Sequence, residues 1–210
     1  LTVIVFALAV AFGFDPAAGL TLTEKLGATV DAWGGGFWTL LGFGMQMCVI
    51  MLGGFVLSQT KPVAWLLDRL AERATTPTRA VLTVALFSML SALVNWGLSI
   101  SASGVIARKV GIKCKQADFR LLVACAYLGM SATWHAGFSA SAPLLVATEK
   151  GASDAGIAVL PTSSTILSPF NIALTLIVIA VLAFIVPKLH PKPQDTVPLT
   201  DSIEEAKHEE

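Results

Sequence analysis

His135 is the one side chain able to titrate near neutral pH inside the long charge-free stretches of this 210-residue sequence. It stands in Trp134-His135-Ala136-Gly137 and is followed by Ser139 and Ser141. A neutral imidazole can donate a hydrogen bond to a carboxylate; a protonated one can pair with it and tie its movement to protons. A second polar group in apolar surroundings starts at Asn95-Trp96-Gly97 and continues through Ser99, Ser101 and Ser103. The predicted contacts to a small anionic substrate are therefore Asn95, Ser99, Ser101, Ser103, His135, Ser139 and Ser141. Trp96 and Trp134 are placed to wall an apolar pocket, and Asn171, beside Pro169, to support it. Each has a plainer use as well: a turn cap for Asn95, close packing for the serines, a structural hydrogen bond for His135 and Asn171, core or lipid packing for the tryptophans.

These groups must be positioned by apolar helices. Of the residues, 55% are hydrophobic and 13% charged, against about 25% charged in ordinary soluble domains, and the mean hydropathy is +0.75. No Asp, Glu, Lys or Arg occurs in 32–60, 80–107, 121–148 or 155–187. Each run can cross a hydrocarbon core of about 30 Å, which takes roughly 20 helical residues. The expected fold class is an all-α integral membrane protein, a polytopic helical bundle. Residues 1–187 form its transmembrane part, and 188–210 a polar cytoplasmic loop or linker without fixed structure. Residues 1–14 read as the remainder of a first span, 15–36 as a polar connection and 37–57 as the cleanest span. Residues 61–79 hold a short amphipathic helix lying in the interface, with Val63, Leu66, Leu67 and Leu70 on one face.

Lys and Arg concentrate in two loops. Residues 61–79 carry four and 108–120 carry five, whereas 15–36 and 149–154 carry one each. The positive-inside rule places both rich loops in the cytoplasm. The apolar run between them thus has both ends on one side and is broken at Asn95-Trp96-Gly97. That predicts a re-entrant hairpin. Residues 121–148 then cross as a helix broken around Trp134–Gly137, and 166–186 return. Non-helical backbone at membrane depth is tolerated where it lines a cavity or is buried in protein, so two such breaks point to a substrate site between them.

Other chemistry finds no footing. The net charge is zero, which gives no basic field for nucleic acid. Cys48, Cys114 and Cys125 form no CxxC or Cys/His cluster. There is no phosphate-binding glycine loop, no HExxH and no Gly-x-Ser-x-Gly. The expectation is no enzyme, no catalytic or metal-ligating residues and no cofactor, with Na⁺ and H⁺ both open as a coupling ion.

The blocks Ala32-Trp33-Gly34-Gly35-Gly36-Phe37-Trp38 and Gly42-Phe43-Gly44-Met45-Gln46-Met47 resemble the first conserved block of the bacterial short-chain fatty acid transporter family. Asn95-Trp96-Gly97-Leu98 and the stretch from Trp134 to Leu144 resemble its next two, and Thr165 to Asn171 a fourth. The resemblance implies secondary, ion-coupled uptake of small monocarboxylates such as acetoacetate or butyrate across the bacterial inner membrane. It implies one repeat of an inverted-repeat transporter in the ion-transporter superfamily, this chain being its N-terminal half. Partners are then the carboxylate, the lipid bilayer, the second half and a homo-oligomeric copy. The alternatives are a channel or permease for another small organic anion, or a non-transporting membrane assembly subunit.

Overall fold

The structure is a computed structural model that describes residues 1–13 and 19–199; among them there is no strand. Helix α1 spans Thr2–Phe12, and α2 is a 37-residue helix, Leu22–Ser58. Two compact units divide the chain within α2: residues 1–49, and residues 50 onwards. Among the described residues four segments are long and apolar enough to cross a membrane: Leu22–Ser58, Pro77–Val94, Phe119–Val146 and Pro169–Leu189. The expected class, a polytopic helical membrane protein, holds.

The connection expected over 15–36 is instead helical from Leu22 onwards; residues 14–18 lie outside the described part. The reason is a reciprocal cap at the start of α2. The Thr21 backbone N–H donates to Glu24 Oε2 at 2.8 Å, and the Glu24 N–H reaches Thr21 Oγ1 at 3.4 Å. This Ser/Thr-x-x-Glu device nucleates the helix about three turns ahead of the charge-free run that begins at Ala32. Gly34, Gly35 and Gly36 do not end it.

In the second unit, α3 (Lys61–Glu72) is the amphipathic helix that was expected, with Leu67 and Ala71 buried. Helix α4 (Pro77–Val94) begins with Thr76 as cap and Pro77 in the first turn, and α5 (Trp96–Lys113) follows after the single residue Asn95. Together they form the predicted helical hairpin. Its second arm runs on past the apolar run that ends at residue 107. Each arm is 18 residues, a rise of about 27 Å, because α5 runs through Arg108 and Lys109 to Lys113, which sequence pattern alone assigns to a loop. A helix need not stop where its charges begin, since they can reach the interface. Lys109 pairs with Asp68 and so ties α5 to α3.

The next crossing segment is broken, as predicted. Helix α6 (Phe119–Ala126) passes into a π-turn, Gly129–Thr133, a 3₁₀ turn, Trp134–Ala136, and extended Gly137. Helix α7 (Ser141–Val146) completes the segment. The short α8 (Glu149–Asp154) precedes α9 (Pro169–Ile185), capped by Ser168. The core joins α3, α4, α5 and α6 through small and medium side chains, among them Ala71, Ala85, Ala107 and Ala126 with Leu67, Met89, Ile106 and Leu122. Small residues let helices approach closely in lipid, where apolar burial alone gives little drive to associate.

Residues 188–199 differ from expectation. They are not a free linker; 200–210 lie outside the described part. His190 Nε2 accepts the Asp118 N–H at 3.0 Å, Asp118 Oδ2 accepts the Val197 N–H at 3.0 Å, and Val197 O accepts the Phe119 N–H at 2.9 Å. Arg120 adds bonds to Asp118 Oδ2 and the Asp195 carbonyl. The start of α6 offers donors that no helical carbonyl can take, and this strap supplies acceptors for them. Burial of Asp118 raises its pKa, but the bonds from Arg120, Val197 and Leu121, with the Arg120 charge, outweigh that and hold it below the ordinary carboxylate value. A lowered carboxylate pKa adds stability above the unfolded value of about 3.9, lost as pH falls through the folded value.

Asp118→Ala removes the cap of α6 and the acceptor for Val197, at a cost of about 1–2 kcal/mol. The expected result is faster hydrogen exchange at Leu121 and Val197 at neutral pH. In the unsubstituted protein the same acceleration sets in only below about pH 4, the carboxylate range.

Candidate functional site

The two backbone breaks meet. Asn95 leaves the helical conformation at φ −156°, ψ 126°, and caps α5 by accepting the Leu98 N–H on Oδ1 at 3.0 Å. One further donor and one acceptor of the tip are satisfied from elsewhere, and the second break supplies the partners. The Trp96 N–H donates to Ser139 Oγ at 2.9 Å. The Leu93 carbonyl, in the last turn of α4, accepts the Phe138 N–H at 2.8 Å. A helix end has carbonyls without intrahelical partners, so this bond completes α4 as much as it fixes the extended strand of chain after Gly137.

Below the tip a ladder of hydroxyls continues the joint. Ser88 Oγ donates to the Ala126 carbonyl at 2.7 Å and accepts the Gly129 N–H at 2.8 Å. Ser99 Oγ donates to the Ser88 carbonyl at 2.8 Å, and Thr133 Oγ1 to the Met89 carbonyl at 2.8 Å. All three hydroxyl residues are buried. Close approach requires glycine at two positions: a Cβ on Gly129 would run into the Ser88 carbonyl, and one on Gly137 into the Leu93 carbonyl. On its other side the tip touches the end of α2, where a Cβ on Gly54 would lie 2.6 Å from the Gly97 carbonyl.

The predicted site residues therefore separate into groups. Asn95, Trp96 and Ser139 come together at the joint, with Trp134 and His135 on the adjoining 3₁₀ turn. His135 is exposed, and its ring stands edge-on to Trp134, 6.4 Å between centroids. Ser141 is exposed at the start of α7. Ser99 is buried and bonded to Ser88, so it supports the joint and presents nothing to a ligand. Ser103 is likewise fully buried, although its hydroxyl has no partner among the described residues. Ser101 turns instead to the Met51 carbonyl of α2 at 3.3 Å. Asn171 Nδ2 donates to the Ile166 carbonyl at 2.8 Å and holds the loop before α9; α9 itself packs on both irregular turns.

Sequence reasoning missed Ser88, Gly129 and Thr133. Their signal was present as small and hydroxyl residues inside apolar runs, but nothing in the spacing indicates which carbonyl each one addresses. At the joint, among the described residues, donor capacity is left on the Asn95 amide NH₂, the Ser139 hydroxyl, the His135 ring and the indole N–H groups of Trp96 and Trp134. Each is a group type that can donate a hydrogen bond to a carboxylate. No group of three His, Cys, Asp or Glu that could bind a metal occurs among the described residues.

A family profile described as "Short chain fatty acid transporter" matches residues 1–210. Two curated relatives carry the name "Putative short-chain fatty acid transporter". The Escherichia coli protein is 40% identical over 168 residues, which cover 80% of this chain and 38% of that protein. The Haemophilus influenzae protein is 36% identical over 203 residues, covering 92% of this chain and 44% of its own length. The chain thus spans less than half the length of these relatives. No solved structure matches it significantly.

Gly137→Ala should drive Leu93 and Phe138 apart and lower the apparent thermal midpoint of the detergent-solubilised full-length protein by several degrees. Ser139→Ala strands the Trp96 N–H, which is partly buried, and should lower the same midpoint through a loss of about 1 kcal/mol. Gly104→Ala on α5 has open space around it and should leave the midpoint unchanged or slightly raised, since alanine favours helix by about 1 kcal/mol.

Proposed function

This chain belongs to the short-chain fatty acid transporter family, and from that premise we propose that it carries one half of the substrate site of a secondary transporter for small monocarboxylates in the bacterial inner membrane. The observation that supports the reading is the joint of the two breaks. Its polar groups face outward from this chain: His135 and Ser141 are exposed. In hydrocarbon such groups would be costly, so they need a water-filled cavity or further protein to face.

In this reading the Asn95 amide, the Ser139 hydroxyl and the His135 imidazole donate to the substrate carboxylate. Trp96 and Trp134 meet its short apolar tail. Ser141 contributes from the start of α7, while Ser99, Ser101 and Ser103 shape the arm behind. The Lys/Arg distribution supports a cytoplasmic position for both ends of the hairpin. Because the arms rise about 27 Å, the tip lies deep in the bilayer, where one movement can open it to either side. Coupling to an ion fits the same place. A proton would use His135; Na⁺ would use hydroxyl and carbonyl oxygens such as those around Ser88 and Thr133.

Uptake of labelled butyrate by proteoliposomes of the full-length protein tests this directly, with a Na⁺ or a pH gradient imposed in turn. One gradient should drive accumulation. His135→Ala should raise KM roughly tenfold, the worth of about one hydrogen bond to a charged group. His135→Gln, which cannot titrate, should lose the pH dependence if the proton is the coupling ion and keep it if Na⁺ is. Butyrate uptake that ignores both gradients would overturn secondary transport, and unchanged kinetics in both variants would remove His135 from the site.

A further inference from the structure

An apolar groove of about 830 Å³ runs along the outer face of α4 beside α3, from Arg73 and Arg79 at one end to Val94 and Leu98, next to the hairpin tip, at the other. Leu66 and Leu70 of α3 and Leu86 and Leu90 of α4 line it. Along α4 the lining extends from Arg79 to Val94, a rise of about 22 Å. One leaflet accounts for about half of a hydrocarbon core of roughly 30 Å. The groove is therefore long enough to hold an acyl chain over the whole depth of a leaflet.

Its mouth is cationic. Arg73 ends α3 and Arg79 stands in the first turn of α4, so both guanidinium groups border the groove at the same end. The carboxylates nearby are already engaged: Glu72 with Arg69 and Asp68 with Lys109. Among the described residues neither Arg73 nor Arg79 has a carboxylate partner. Among the described residues the Arg79 guanidinium donates to the Thr75 hydroxyl, at 3.4 Å. Two exposed cations with no carboxylate partner among the described residues, at the head of a long apolar trough beside an amphipathic helix, complement one kind of molecule.

We propose that the groove between α3 and α4 binds an anionic glycerophospholipid, its phosphate on Arg73 and Arg79 and an acyl chain along Leu86 and Leu90. The planar guanidinium matches phosphate geometry in a way an ammonium does not. A free phosphate would use the arginines alone, whereas a lipid needs the trough as well. Bound there, the lipid holds the amphipathic helix against the base of the hairpin.

The test is native mass spectrometry of the full-length protein, exchanged into detergent with equal phosphatidylglycerol and phosphatidylcholine. Preferential retention of phosphatidylglycerol, undisturbed by millimolar inorganic phosphate, is the expected result. Arg73→Gln with Arg79→Gln should weaken that retention roughly 25-fold, about fivefold per arginine. Leu90→Trp, which fills the trough and leaves both charges, should weaken it as well. Arg108→Gln, outside the groove, should not. Equal retention of the two lipids by the unsubstituted protein would overturn the proposal, and that comparison needs no variant to fold. Displacement by phosphate, or full retention in Leu90→Trp, would also overturn it, since the trough would then play no part.

Discussion

A helix interrupted inside hydrocarbon leaves amides and carbonyls that water cannot reach, and each one left unpaired costs several kcal/mol. That constraint governs the second unit of this protein. It contains two interruptions, at Asn95 and between Tyr127 and Ala140, and each supplies what the other lacks. Leu93 has a carbonyl to spare at the end of α4; Phe138 has an N–H to spare after Gly137. Trp96 has an N–H to spare at the start of α5; Ser139 has a hydroxyl to receive it. Neither break would be stable beside lipid alone, and their pairing locates one against the other.

The choice of residues follows from this pairing. Backbone can meet backbone only where no Cβ intervenes, hence Gly129 against Ser88 and Gly137 against Leu93. Serine and threonine serve as short bridges that add a donor without adding bulk, as Ser88, Ser99 and Thr133 do. Packing of this kind has few intermediate arrangements. The broken segment is also held at its other end, where the strap of residues 188–199 bonds to the start of α6. The irregular turns therefore lie between two anchored points.

Much of this was legible in the sequence because membrane topology is written in coarse signals. Charge-free runs located the crossing segments, and the Lys/Arg count in two loops, with Asn95-Trp96-Gly97 between them, foretold the hairpin. Trp134-His135-Ala136-Gly137 foretold the second break. Finer features depended on pairings that have no linear signature. The serines at 99, 101 and 103 look equivalent on paper, yet Ser99 bonds inward to Ser88, Ser103 is sealed in the core and Ser101 turns to α2. Residues 188–199 look like a polar linker because nothing local shows that Asp118, some seventy residues earlier, needs Val197 as a donor and offers its own N–H to His190. The start of α2 was readable in principle from Thr21 and Glu24, but the glycines that follow obscured it.

The proposed function places a bound carboxylate at the joint. A structure of the full-length protein determined with saturating butyrate tests this most directly. Density for the carboxylate within hydrogen-bond distance of His135, Asn95 or Ser139 is the expected result, with the tail against Trp96 or Trp134. Butyrate bound in a cavity that none of these side chains borders would contradict the site, and would leave the paired breaks a structural device alone.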